Sequence, residues 1–330
     1  MSNEQGVILC YDLGGTNCEI GAFDSASETI LSHRKHKVDA KADGGALRAR
    51  LIRTGHERLA DIQQPACGIG FASTGIVDTD TGVIVAMNHL AQLEGMPVGQ
   101  QLAVAFDHVP VVMENDARAY AMGEATFGAG KGFANVLCYT IGTGVGCGFV
   151  HDGEPMRSKG LMSPILGGHV TVDVNGPLCS CGNRGCMEVF ASAAGIKTMM
   201  TDAWMRDVAS VIREKCGNNI HKVSPKALFA ALAEKDALAI DIFDRFSRAV
   251  GAGIVTGIHL LDPDVVVLGG GVVAEDLPVV AAARDYVTRF AWTQPEGRVQ
   301  IVRAALGDHA ALYGVAALLQ RKRRCAEVSG

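Results

Sequence analysis

Apolar positions along the chain fall into two patterns: short unbroken runs that end in glycine turns, and longer stretches with a helical period. Val7 to Tyr11 reads as a buried strand that breaks into Asp12-Leu-Gly-Gly-Thr16, and Glu19 to Phe23 resumes as a second strand. The chain therefore opens on a β-hairpin around a glycine-rich turn. A helix is expected from about Ala46 to Ile62, then strands at Cys67 to Ala72, near Val83 to Ala86 and at Val109 to Met113. Ala117 to Phe127 has helical spacing, and Asn135 to Thr140 begins an apolar strand that runs into Ile141-Gly-Thr-Gly-Val-Gly-Cys-Gly148. A third glycine turn, Leu268-Gly-Gly-Gly271, follows a strand at Asp264 to Leu268, which a long helix from about Ala237 to Leu260 precedes. Ala310 to Gln320 is the last helix. Alternating strands and helices predict mixed α/β sheets. The recurrence of strand, glycine turn and strand at wide separation implies two similar halves facing each other across a cleft.

Composition narrows the class. A chain of 330 residues exceeds the usual single core, so two domains are expected. Hydrophobic residues at 48% and charged residues at 20% place it among folded globular proteins. A net charge of -5 leaves no basic footprint, so nucleic acid is not an expected partner. The run Arg321, Lys322, Arg323, Arg324 reads as the solvated end of the last helix, where cations are favoured. The cysteines are scattered except for Cys179, Cys181 and Cys186, and the start MSNEQGVILCYDLGG lacks a basic region followed by an apolar signal core. Both features point to a reducing, cytoplasmic setting. The longest nearly uncharged stretch, Ala249 to Leu261, is too short and too polar to span a bilayer, so no membrane segment is expected.

The chemistry concentrates in four places. A glycine turn after a strand lets backbone N–H groups approach phosphate oxygens, and a carboxylate at its mouth can hold Mg²⁺. Asp12, Gly14, Gly15 and Thr16 have this arrangement, although a tight hairpin alone would also account for the glycines. Gly142, Thr143 and Gly144 offer a second set of donors, and two such turns suit a nucleoside triphosphate. Neither is a Walker loop, since no Gly-Lys-Ser/Thr ends it. Glu114-Asn115-Asp116-Ala117 lies where a strand meets a helix, so Asn115 or Asp116 could serve as an N-cap. A carboxylate at a strand's C-terminal end is also well placed to take a proton from a sugar hydroxyl, which makes Asp116 the candidate base. His169 with Cys179, Cys181 and Cys186 supplies the four ligands of a closed zinc site, against the alternative of free thiols in a reducing loop. Glu188, two residues past the last cysteine, is either a sugar contact ordered by that loop or an ordinary first-turn helix glutamate.

In this order the motifs resemble the ROK family of sugar kinases and sugar-responsive repressors over nearly the whole chain. They are DLGGT at Asp12 to Thr16, ENDA at Glu114 to Ala117, IGTGVGCG at Ile141 to Gly148, Gly168-His169, CSCGNRGCME at Cys179 to Glu188, and LGGG at Leu268 to Gly271. The resemblance implies an α/β, two-domain actin-like fold of the hexokinase, ribonuclease-H-like type with a cleft between the domains. A small domain would comprise 1–117 plus the C-terminal helix 308–330, and a large one 118–307 with the zinc loop; dimers are common in the family. Carried over position by position, Asp12, Gly14, Gly15, Thr16, Thr143 and Gly144 match phosphate and magnesium positions, and Gly270 and Gly271 match the nucleoside side. Asp116 matches the catalytic base. Gly75, Asn88, Asn115, His169 and Glu188 match sugar-binding positions, and His169 with Cys179, Cys181 and Cys186 matches the structural zinc. ATP, Mg²⁺ and Zn²⁺ are the implied cofactors, and transfer of the γ-phosphoryl group to the 6-hydroxyl of a hexose or N-acylhexosamine is the implied reaction.

Two positions depart from the glucokinase pattern. The family's glucose kinases usually have a Glu three residues before the zinc His, where this chain has Leu166. In the first sugar loop, where Pro-Gly is frequent, the chain reads Ala72-Ser73-Thr74-Gly75, a spelling similar to N-acetylmannosamine kinases. Both favour an N-acylhexosamine over glucose. The alternatives are a plain glucokinase and a non-catalytic sugar-sensing regulator. The family's regulators carry an N-terminal DNA-binding domain, for which a first strand near Val7 leaves no room.

Overall fold

A computed structural model describes residues 6–87, 90–157, 166–273, 277–293 and 295–329. In chain order the elements are β1 (Val7–Leu13), β2 (Asn17–Asp24), β3 (Thr29–Lys37), α1 (Gly44–Ile62), β4 (Ala66–Ser73), β5 (Ile76–Asp78), β6 (Val83–Ala86), α2 (Val98–Ala105), β7 (Val111–Asn115) and α3 (Asp116–Phe127). They continue with β8 (Asn135–Ile141), β9 (Val145–His151), β10 (Glu154–Pro155), α4 (Met187–Ala191), α5 (Ala193–Met205), α6 (Ile212–Lys215), α7 (Pro225–Ala233) and α8 (Ala237–Leu261). The last are β11 (Val265–Gly269), α9 (Val279–Phe290), β12 (Gln300–Arg303) and α10 (Ala310–Ser329). The chain divides into two compact units, one formed by Met1–Gly132, Gly148–Ile165 and Ala305–Gly330, the other by Phe133–Cys147 and Leu166–Ala304.

Each five-stranded sheet repeats one plan. The first has the order β3-β2-β1-β4-β7 and the second β10-β9-β8-β11-β12, so in each the first three strands lie in reverse order and the next two follow on the far side. β1 pairs antiparallel with β2 and parallel with β4, which pairs parallel with β7. β8 pairs parallel with β11, and β11 with β12. The glycine turns after β1 and β8 thus correspond to a repeated topology, each following the central strand of its sheet.

In the first unit, β1 is buried on both faces, as expected of a strand flanked by helices. Leu9 and Tyr11 join Ile69, Phe71, Leu47, Leu51 and Leu102 on the α1 and α2 side, while Ile8 and Cys10 face Leu312, Val315 and Leu319 of α10. α3 and α10 pack backbone to backbone, because a Cβ at Gly123 would strike the Ala310 carbonyl and one at Gly314 the Ala119 carbonyl. Buried Glu124 ties this pair to the preceding loop, accepting the N–H groups of Ala129, Ala305 and Leu306 at 2.9, 3.0 and 2.8 Å. In the second unit Val136–Tyr139 and Val265–Leu268 are wholly buried, and Tyr139 donates its hydroxyl to the Gly253 carbonyl of α8 at 3.1 Å.

Three boundaries differ from expectation for local reasons. The strand expected at Val109 begins only at Val111, since Pro110 has no N–H for the ladder; its carbonyl instead accepts the Ile69 N–H at 2.9 Å. The shift carries Glu114 and Asn115 into the strand. α1 starts two residues early, at Gly44, because Asp43 caps it by accepting the Ala46 N–H at 2.8 Å. α10 continues through the basic run to Ser329; Arg321 pairs with Glu154 and Arg323 donates to the Cys67 carbonyl, so two of these cations are docked. β3, with polar residues at most positions, gave no periodic apolar signal. Among the described residues no helix is long and apolar enough to cross a membrane.

Candidate active site

In the first unit the candidate residues collect along one edge of the sheet. β1, β4 and β7 are parallel, and Leu13 pairs with Ser73, which pairs with Asn115, so the three strands end level. The turn Asp12 to Thr16, the loop Ser73 to Gly75, and Asn115 with Asp116 therefore leave the sheet side by side, at the carboxyl ends where ligands of open α/β sheets bind. The Gly14 N–H closes the first turn on the Asn17 carbonyl at 2.9 Å, while Thr74 N–H anchors its loop to the Leu13 carbonyl at 3.0 Å. Gly75 sits at φ +85°, and a Cβ there would strike the Ala86 carbonyl, so both conformation and space require glycine. Asn88 lies outside the described residues.

Asn115 has two roles at once. Its side-chain oxygen caps α3 by accepting from Ala117 and Arg118 N–H at 3.1 and 3.3 Å, and its amide donates to the Gly75 carbonyl at 3.1 Å and to Asp116 Oδ1 at 2.9 Å. Of the two residues that could have capped α3, Asn115 is the cap, and the same side chain bonds Gly75 and Asp116. Asp116 also accepts the Ala117 N–H at 2.8 Å. Burial pushes its carboxyl up to about 6, against the lowering effect of these hydrogen bonds and of Arg118. Burial likewise raises Asp12, to about 7, with the charges of Asp116 and Glu19 adding to the effect.

The sequence reading missed the support beneath Asp116. Glu114 is fully buried and accepts Arg118 Nε and Nη2 at 2.7 and 2.6 Å, Arg157 Nη1 at 2.7 Å and the Asn115 N–H at 2.8 Å. This network ties the end of β7 to the first turn of α3 and to Arg157. The signal for it was the Glu114/Arg118 spacing across the junction, which matters only once Glu114 is known to be buried.

In the second unit the corresponding edge carries the other candidate residues. Gly269 pairs with Thr140, so the turns Gly142 to Gly144 and Gly270 to Gly271 leave adjacent strand ends. Gly270, at φ +89°, lies against Ile141 so closely that a Cβ would overlap its backbone, whereas Gly271 faces open space. Thr143 lies in the turn between β8 and β9. Glu188 Oε2 accepts the Val145 N–H at 2.9 Å and occupies the space where a Cβ of Gly144 would fall. Glu188 thus links the cysteine loop to the glycine turn, a contact that sequence spacing did not reveal.

The cysteine loop brings its four expected ligands together. His169 Nδ1 and Cys179 Sγ are 3.5 Å apart, Cys181 and Cys186 Sγ are 3.6 Å apart, and all four ligand atoms lie within 4.8 Å of one another. A tetrahedron with metal–sulfur bonds of about 2.3 Å has edges of about 3.8 Å, so the set fits Zn²⁺. Two backbone bonds fold the loop around this centre, from Cys179 N–H to the Asn183 carbonyl at 2.7 Å and from Gly185 N–H to the Pro177 carbonyl at 2.8 Å. Leu166 opens the short turn Gly167–His169 with its side chain 60% exposed, and its carbonyl accepts the His169 N–H at 2.8 Å.

The sequence pattern of the ROK family matches residues 8–322. The chain belongs to the ROK family. A glucokinase from Thermotoga maritima is 28% identical over 317 residues, covering 96% of this chain and 98% of its own. The crystal structure of a ROK glucokinase from Streptomyces griseus with glucose and AMPPNP is 27% identical and superposes with a TM-score of 0.80 over 95% of this chain and 99% of its own. The relatives also include a regulator: a xylose repressor of Bacillus spizizenii is 27% identical over 94% of this chain and 77% of its own length. The α/β, hexokinase-type, actin-like fold expected from the motif order is the fold of these relatives.

Proposed function

We propose that this ROK protein is an ATP-dependent sugar kinase that phosphorylates the 6-hydroxyl of a hexose or N-acylhexosamine, with N-acetylmannosamine favoured over glucose. The observation that carries this reading is Asp116, held by Asn115 and Ala117 at the same parallel-strand edge as the Asp12 to Thr16 turn. Asp116 takes the proton of the sugar hydroxyl as its oxygen attacks the γ-phosphorus and the bond to the departing ADP oxygen breaks. Asp12 would hold the Mg²⁺ that accompanies ATP, and the backbone of Gly14, Gly15, Thr16, Thr143 and Gly144 would bind phosphates, with Gly270 and Gly271 on the nucleoside side. Gly75, Asn115, His169 and Glu188 would contact the sugar, Asn115 and Glu188 already being oriented by the bonds described above.

A structural zinc in the cysteine loop belongs to the same proposal. His169, Cys179, Cys181 and Cys186 would hold it, and its chemistry there is to order the loop that carries His169 and leads into Glu188. The regulator relatives motivate a second reading, sugar binding without turnover. One experiment separates the two: ADP release over glucose, mannose, fructose, allose, N-acetylglucosamine and N-acetylmannosamine. Sugar-dependent turnover supports the kinase, whereas saturable sugar binding with no ADP release from any member supports the regulator.

A further inference from the structure

On the first unit's sheet, an acid on β2 directly across from Asp12 meets two imidazoles that have no role in the proposed site. Asp12 pairs with Glu19 across β1 and β2, and Glu19 pairs with Lys35 across β2 and β3. His33 lies two residues before Lys35 on β3, hence on the same face of the sheet. His309 comes from the short turn Gly307–His309 that leads into α10. The Nδ1 atoms of His33 and His309 both approach one oxygen, Oε1 of Glu19, at 3.0 and 2.9 Å, with the two rings 4.3 Å apart.

Hydrogen bonding does not account for the His309 half of this arrangement. Nδ1 of His309 is buried and has no hydrogen-bond partner, although Glu19 Oε1 is only 2.9 Å away. The contact has the length of a hydrogen bond without its direction. Glu19 is itself 4% exposed, and a buried carboxylate is paired or binds a cation. Lys35, the cation paired with Glu19 across β2 and β3, is engaged by Asp308 at 3.1 Å. When two ligand atoms share a cation at cis positions, with bonds of about 2.1 Å, they stand about 3 Å apart with lone pairs converging rather than facing each other. The Glu19 to imidazole separations have that value.

We propose that Glu19, His33 and His309 form a second metal site, distinct from the cysteine loop, for a first-row divalent transition cation such as Zn²⁺ or Ni²⁺. Two imidazoles select such cations over Mg²⁺ or Ca²⁺, and one carboxylate leaves coordination positions for water. Because the ligands come from β2, β3 and the turn before α10, the cation fastens the N-terminal hairpin to the last helix.

The test uses full-length protein with the cysteine loop filled with zinc and excess metal removed. Titration with NiCl₂ by calorimetry is expected to show one further saturable equivalent per chain, with thermal unfolding moving upward as nickel is added. His33→Gln and His309→Gln each weaken that binding roughly tenfold or more, and the double variant abolishes both binding and stabilisation. Neither residue belongs to the proposed active site, and both are partly exposed, so the variants should fold. The absence of a saturable nickel equivalent overturns the site. So does nickel binding that the double variant leaves unchanged, or that appears with the charge-transfer absorption of a thiolate, since the metal would then lie elsewhere or in the cysteine loop.

Discussion

Asp116 is the first residue of α3, directly after its cap Asn115, and its carboxylate is buried. Its carboxylate accepts the Ala117 N–H at 2.8 Å and the Asn115 amide at 2.9 Å, yet burial still raises its pKa. Asp116→Asn preserves the shape and both neighbours but cannot take a proton. We expect kcat to fall ~10² to 10⁴-fold with sugar affinity and thermal stability little changed, measured by steady-state kinetics and sugar titration. Full activity in the purified variant would remove Asp116 from the role. The raised pKa also fixes the direction of the pH effect. A general base works only when ionised, so the proposed activity is expected above about pH 6 and should be lost as pH falls through that value. At saturating Mg²⁺, kcat/KM should decline about tenfold per unit below it, and a profile flat from about pH 5 to 8 would count against Asp116 as the titrating base. That Asp116 is a base rather than a cap alone was an open choice in the sequence, because either role needs only an acid at a strand-to-helix junction. Tertiary structure adds what bears on the choice, a buried Glu114 beneath the junction and the level ends of β1, β4 and β7.

At the scale of the element, the cysteine loop and the glycine turn after β8 act together. Glu188 lies two residues past Cys186, and its carboxylate accepts the Val145 N–H beside Gly144. Whatever orders the loop therefore also orders the turn. Cys181→Ser should lose one zinc per chain by elemental analysis and most of the kinase activity, because His169 and Glu188 lose their anchor together. Freshly purified, chelator-free protein without zinc would defeat the claim. The cluster of His169 with three cysteines, whose ligand atoms lie within 4.8 Å of one another, was legible in the sequence because three cysteines within eight residues of a glycine-rich loop carry a chemical signal independent of fold. The link from Glu188 to Val145 was not, because it joins residues 43 positions apart through a side chain whose direction depends on how α4 is placed.

For the whole molecule, the substrate is the property in question, and Leu166 bears on it. Where the family's glucose kinases usually have a Glu, Leu166 is apolar and 60% exposed. Losing a hydrogen bond from a charged group costs roughly 1.5 to 3 kcal/mol, about ten- to a hundredfold in affinity, whereas covering one methyl returns about 0.8 kcal/mol. N-Acetylmannosamine should therefore be phosphorylated with kcat/KM at least equal to that of glucose in the ADP-release assay. A tenfold or larger preference for glucose would overturn this substrate assignment and leave the kinase assignment standing. By itself the sequence determined the α/β class, the recurring strand and glycine turn, the family and the residues of each motif, because burial of short apolar runs and the ligand chemistry of Cys, His and Asp are local properties. Only tertiary structure decided that β1, β4 and β7 end level, that one side chain at Asn115 both caps α3 and bonds Gly75 and Asp116, that Glu114 lies buried before Asp116, and that Glu19 meets His33 and His309. Each of these depends on strand register or on packing between distant segments, and neither is written in the periodicity of a single stretch of chain.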